Sequence, residues 1–142
     1  MLVTESRLQV RYSETDQMGV VHHSEYIKWF EVGRLDCVYA LGASYMDMEK
    51  AGFYLPVINV QASYKWPAKY DEFIIVKTTL VEYNGIRLKL SYQVVREDDG
   101  EVLVEGSTEH CWTTTAMQPV NMSKVRPDLH QKFLENMGIR LA

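Results

Sequence analysis

Apolar and polar residues alternate over residues 6–13, with Leu8, Val10 and Tyr12 on one face and Arg7, Gln9 and Arg11 on the other, which predicts a strand. Gly19 breaks this pattern. From about Ser24 to Leu41 the period becomes helical: Tyr26, Phe30, Gly33, Cys37 and Leu41 form an apolar stripe, widened by Trp29 and Ala40. His23 or Ser24 would open the helix and Gly42 would close it. A second, short amphipathic helix is expected over Ser44–Ala51, ending at Gly52. Everything onward to residue 113 reads as strand: Val57–Lys65, a break at Pro67 and Tyr70-Asp71, then Phe73–Tyr83, Ile86–Arg96 and Glu101–Thr113. Asn84-Gly85 is a strong hairpin signal, and Asp98-Asp99-Gly100 marks a second turn. The polar stretch 114–126 should end the sheet, and Pro127–Asn136 fits a terminal helix with proline in its first turn.

The clean alternation of Ile86, Leu88, Leu90, Tyr92 and Val94 against Arg87, Lys89, Ser91 and Gln93 predicts an antiparallel sheet. One long helix covers only one face of such a sheet. Phe73, Ile75, Val81 and Tyr83 compete with Ile74, Val76 and Leu80 for burial, so apolar residues stand on both faces. Strand edges or sheet margins are therefore expected to meet a second copy of the chain.

A chain of 142 residues fits one domain, and 46% apolar residues suit a folded globule. The net charge of -4 disfavours wholesale nucleic-acid binding. Cys37 and Cys111 fall in a predicted helix and strand, as buried thiols in a reducing compartment would. The first residues turn polar at once, and no apolar run approaches membrane-spanning length. Cytoplasmic location is the expectation.

Chemistry concentrates at the strand-to-helix junction, residues 12–34. Asp16 is the leading candidate: it is either a catalytic carboxylate or a turn former that accepts a backbone hydrogen bond. Glu14 would share its face, or else be a solvated or salt-bridged side chain. His22 and His23 diverge; His23 would orient a carbonyl, donate a proton or hold water, or simply start the helix. Gly19 permits close backbone approach or a positive φ. Free N–H groups near His22–Ser24 would stabilise an oxyanion. The chain has no phosphate-cradling glycine loop, GxSxG elbow or CxxC, and no recurrent metal-ligand spacing, so neither a metal nor another cofactor is expected.

The run Tyr12-x-x-Thr15-Asp16-x-x-Gly19-Val20-Val21-x-His23-x-x-Tyr26, followed by Trp29-Phe30-Glu31 and Arg34, resembles the 4-hydroxybenzoyl-CoA thioesterase family of hot-dog-fold enzymes, especially its small bacterial acyl-CoA thioesterases. Tyr64-x-x-Pro67-x-x-Tyr70-Asp71 and Gly106-x-Thr108-x-His110 extend the match over residues 6–113, leaving 114–142 as a tail with little family signal. The resemblance implies an α+β fold, a long helix wrapped by an antiparallel sheet, and active sites between protomers of a homodimer or homotetramer. It places Asp16 on the catalytic carboxylate, His23 on the active-site histidine and Tyr26 on a pocket-shaping tyrosine. Glu14 stands where many relatives have aspartate; Glu31 is no clear counterpart of the helix glutamate used by other hot-dog thioesterases. The implied reaction is acyl-CoA hydrolysis, Asp16 attacking the carbonyl or activating water. Lys65, Lys69, Arg87 and Lys89 are candidate anchors for the CoA phosphates. A hot-dog dehydratase or hydratase and a non-catalytic acyl-thioester-binding module are the competing readings.

Overall fold

The computed structural model describes residues 1–138; residues 139–142, the end of the expected tail, lie outside the described part. In chain order the elements are β1 (Thr4–Gln9), α1 (His23–Ala40), α2 (Tyr45–Lys50), β2 (Phe53–Tyr54), β3 (Val57–Tyr64), β4 (Phe73–Tyr83), β5 (Arg87–Arg96), β6 (Val102–Cys111), β7 (Thr113–Thr114), α3 (Met122–Val125) and α4 (Pro127–Glu135). Five strands form an antiparallel sheet in the order β1-β4-β5-β6-β3, and β2 pairs with β7 in a small second sheet. The sheet wraps α1, the α+β hot-dog arrangement.

Burial rather than propensity holds α1. Tyr26, Trp29, Phe30, Gly33, Cys37 and Val38 are its buried residues. Burying one large apolar side chain contributes about 1.5–3 kcal/mol, against a few tenths per residue from helix propensity. Phe30 stacks on Tyr92 of β5 with ring centroids 4.5 Å apart. Gly33 lets the helix close on β4, since a Cβ there would strike Thr78 Oγ1 and sit 2.8 Å from Val76 Cγ1. His22 caps the N-terminus by accepting the Ser24 N–H at Nδ1, 3.3 Å away. At the other end the N–H groups of Leu41, Gly42 and Ala43 turn back onto the carbonyls of Cys37, Tyr39 and Val38.

Several expectations need correction. The first strand stops at Gln9, because Tyr12–Glu14 winds into a 3₁₀ turn and throws the Tyr12 ring into solvent, 77% exposed. Ala40 is exposed, and Val38 takes its place on the apolar stripe. The last long strand breaks after Cys111; Thr113–Thr114 leaves the main sheet to pair with Phe53–Tyr54. The stretch 114–126 also contains α3. Tyr83 needs no second copy to cover it, because α4 lays His130 and Phe133 against its ring at 5.2 Å each. Likewise the Arg7 guanidinium lies 3.8 Å above the Phe73 ring centroid. The unsatisfied margin is elsewhere. Among the described residues β3 pairs in the sheet only with β6, and Val57, Ile58, Val60 and Tyr64 stand exposed along it.

Candidate active site

The junction between β1 and α1 folds as a tight loop. The Asp16 N–H donates to the Val20 carbonyl (2.9 Å) and the Gly19 N–H to the Asp16 carbonyl (3.0 Å). Gly19 supplies the positive φ, +79°, that this turn demands. Three bonds pin the loop and helix start to the end of β3 and the segment after it: Val21 N–H to the Ala68 carbonyl (2.9 Å), Ala68 N–H to Tyr26 Oη (3.0 Å) and Tyr64 O–H to the His23 carbonyl (3.0 Å). Tyr26 itself is buried against Trp29 and Tyr64, with ring centroids at 4.8 and 5.5 Å. Burial raises its phenol pKa, so the hydroxyl stays neutral and positions the wall.

These contacts enclose an open pocket of about 270 Å³ whose walls include Asp16, Met18, His23, Tyr26, Tyr64, Lys65 and Trp66. The structure shows the turn-forming role of Asp16. Its Oδ1 accepts the Met18 N–H (2.8 Å), which is the turn-forming role, while Oδ2 has no partner among the described residues. One oxygen fixes the side chain and the other is unpaired among the described residues. His23 is exposed and its ring packs on His22 with centroids 4.2 Å apart. As the first residue of α1, its backbone N–H has no acceptor among the described residues, at the end of the helix where partial positive charge accumulates. Asp16, with its unpaired carboxylate oxygen, and His23, with its unsatisfied N–H, thus line one cavity, and these are the group types that attack a carbonyl and hold the resulting oxyanion.

Glu14 does not join them. It is 4% exposed, and its carboxylate accepts the Trp29 indole N–H (2.9 Å) and the Arg11 N–H (2.7 Å), with Arg11 Nε at 3.5 Å. Its role is internal. Lys65 borders the pocket and Lys69 follows Ala68; neither ammonium has an ion-pair partner among the described residues. Arg87 and Lys89 lie elsewhere in the protomer. Arg87 pairs in register with Cys111, level with the Val57 end of β3, roughly 23 Å along the strand from Tyr64. They border a separate cavity of about 460 Å³ with Glu82 and Glu109. Sequence reasoning passed over Trp66 and Met18 as pocket walls; the available signal was the aromatic run Tyr64-Lys65-Trp66 closing an edge strand.

The family model described as the thioesterase-like superfamily matches residues 10–133. The Bacillus subtilis protein YneP, a provisionally assigned acyl-CoA thioesterase, is 37% identical over 94% of this chain and 96% of its own length. Among solved structures, a DHNA-CoA thioesterase from Staphylococcus aureus superposes with a TM-score of 0.90 at 37% identity, covering 95% of this chain and 91% of that one. A hypothetical protein from Thermus thermophilus gives 0.86 at 32% identity, covering 96% and 99%. The matched span takes in the Asp16 loop, α1, every strand except β1, and most of the final helix. The chain belongs to the thioesterase-like superfamily, a family of hot-dog-fold thioester hydrolases.

Proposed function

We propose that this chain hydrolyses acyl-CoA thioesters to free coenzyme A and a carboxylic acid, with Asp16 as nucleophile or general base. The observation that supports this most is that Asp16, with an unpartnered Oδ2, and His23, with an unsatisfied N–H, line the same pocket. As nucleophile, Oδ2 adds to the thioester carbon, the carbonyl oxygen takes the negative charge against the His23 N–H, and collapse expels the CoA thiolate. Water then cleaves the mixed anhydride and restores the carboxylate. As base, Asp16 takes a proton from water, which adds in its place. The thiolate is a good leaving group, so no strong acid is required. The His23 imidazole orients substrate or water. Similarity to the B. subtilis and S. aureus CoA thioesterases supports CoA as the carrier.

The proposal extends to assembly: one thioesterase domain per chain, at least a homodimer with a tetramer open, joined through the β3 edge and acting in the cytoplasm. The exposed Val57, Ile58, Val60 and Tyr64 support this. Antiparallel pairing of two β3 strands would bring the Val57 end of one copy, and the cations level with it, toward the pocket of the other. Among the described residues, no helix is long and apolar enough to cross a membrane.

A time-resolved panel of short, medium, long and aromatic acyl-CoAs, with products identified, tests the reaction. Thiol and acid appearing together support hydrolysis. A retained thioester with altered unsaturation would instead indicate a hydratase or dehydratase, and binding without turnover a sensor. Sedimentation at catalytic concentration tests the assembly; a fully active monomer would refute the shared edge.

A further inference from the structure

The first turn of α1 has few bonds of its own. Ser24 N–H reaches His22 Nδ1 only at 3.3 Å, just past the usual hydrogen-bond range, and Glu25 N–H closes onto the His22 carbonyl at 3.0 Å. Helix ends fray, because their outermost groups lack intrahelical partners. A donor that meets an oxyanion has to keep its direction, since a displacement of about 1 Å at a reacting centre costs up to about a hundredfold in rate. A support from outside the helix would supply what the first turn lacks.

Tyr64, the last residue of β3, is such a support. Its backbone is fixed to the sheet: it pairs in register with Val104, and the next two N–H groups, of Lys65 and Trp66, both donate to the Leu103 carbonyl (2.8 and 3.2 Å). From this post the side chain reaches the helix start. The hydroxyl donates to the His23 carbonyl (3.0 Å), and the ring stands edge-on to the His23 imidazole and the Tyr26 ring, with centroids 6.3 and 5.5 Å away. The single phenol proton is spent on that carbonyl, so the hydroxyl holds backbone and does not serve a substrate. The His22–His23 peptide, a rigid plane that carries the His23 N–H, is thereby held from two sides. Glu25 N–H fixes its carbonyl, and Tyr64 fixes the carbonyl one residue further on.

We infer that Tyr64 is a positioning residue for the hydrolysis proposed above: its hydroxyl locks the start of α1 so that the His23 N–H keeps one direction when a carbonyl oxygen gains charge. The inference rests on the acyl-CoA reading of the Asp16 pocket. Within it, the hydroxyl and the ring of Tyr64 have separate duties. The ring is part of the pocket wall, and the hydroxyl acts on the reaction only through the backbone of His23.

Tyr64→Phe separates these duties, and because Tyr64 is 48% exposed the loss of one oxygen leaves the packing intact. With the best acyl-CoA of the panel, kcat should fall about tenfold while KM changes less than about twofold. The pH profile of kcat should keep its shape, and sedimentation should match the unaltered protein. Combined with His23→Ala the two losses should multiply, because the tether ends on a carbonyl that alanine keeps. Without any substrate, hydrogen exchange of the Glu25 amide should quicken about fivefold in Tyr64→Phe, while the Leu41 and Gly42 amides at the far end of α1 stay as they were. Normal kcat, a loss confined to KM, a missing alkaline limb in the pH profile, altered sedimentation or unchanged Glu25 exchange would each overturn the role. If the unaltered protein cleaves no acyl-CoA, the hydrolase reading fails, and Glu25 exchange still decides whether Tyr64 holds the helix start.

Discussion

Glu14 and Asp16 stand two residues apart on one connection, yet the chain treats them in opposite ways. Glu14 is sealed inside with both carboxylate oxygens engaged, one by the Trp29 indole and one by Arg11. Asp16 stays at a half-exposed mouth, anchored by one oxygen and free at the other. The histidines repeat the contrast. His110 is fully buried between Arg34 and Thr108, whereas His23 is exposed beside the pocket. Residue type does not set this contrast; what sets it is whether a polar atom is sealed against protein partners or left unpaired at a pocket wall.

Removing the internal carboxylate is the harshest way to probe this contrast. Glu14→Ala strands the Trp29 and Arg11 donors, at about 1–3 kcal/mol for each unmet buried group, so a stability loss of about 2–4 kcal/mol is expected in urea unfolding. Turnover by the folded fraction should change less than about threefold. A variant of normal stability and no activity would move Glu14 into the catalytic machinery.

Acid probes the buried histidine. Its folded pKa of about 3 lies below the usual 6.5, so the unfolded chain takes up a proton that the folded chain refuses. Stability should therefore fall as pH drops from 6.5 toward 3, by up to ~1.4 kcal/mol per pH unit from this group. Comparing unfolding of the unaltered protein with His110→Gln isolates that slope; identical pH profiles would show that His110 is not held neutral.

The adjacent histidines give the finest cut. His23→Ala should lower kcat about threefold to tenfold, roughly 0.7–1.4 kcal/mol, with little change in melting, because the backbone N–H survives. His22→Ala should do the reverse, costing about 1 kcal/mol of stability as a lost helix cap while sparing turnover. Equal kinetic effects from both would erase the distinction.

Local pattern made much of this legible. The helical stripe from Tyr26 to Leu41, the Asn84-Gly85 hairpin and the alternation along Leu88–Val94 each depend on neighbours within a few residues, and each element stands where the period placed it. Features set by distant pairing were not readable. Whether Glu14 is solvated depends on a tryptophan fifteen residues on, and whether Tyr83 is covered depends on a helix beginning at Pro127. The departure of Thr113–Thr114 from the main sheet depends on Phe53. The mouth was legible because its loop is local: Asp16, Gly19 and His23 lie within eight consecutive residues. For Arg87 and Lys89, strand alternation gives a face but not a position relative to Asp16, which distant pairing sets.

The most direct test is Asp16→Asn, which keeps the size of the side chain and the oxygen that accepts the Met18 N–H while removing the charge. Thiol release from the best acyl-CoA of the panel is measured at saturation, with thermal unfolding of the same sample. Loss of at least about tenfold in kcat, ~1.4 kcal/mol of transition-state stabilisation, at unchanged melting is the predicted result. Near-normal turnover by the folded variant would contradict the central role of Asp16.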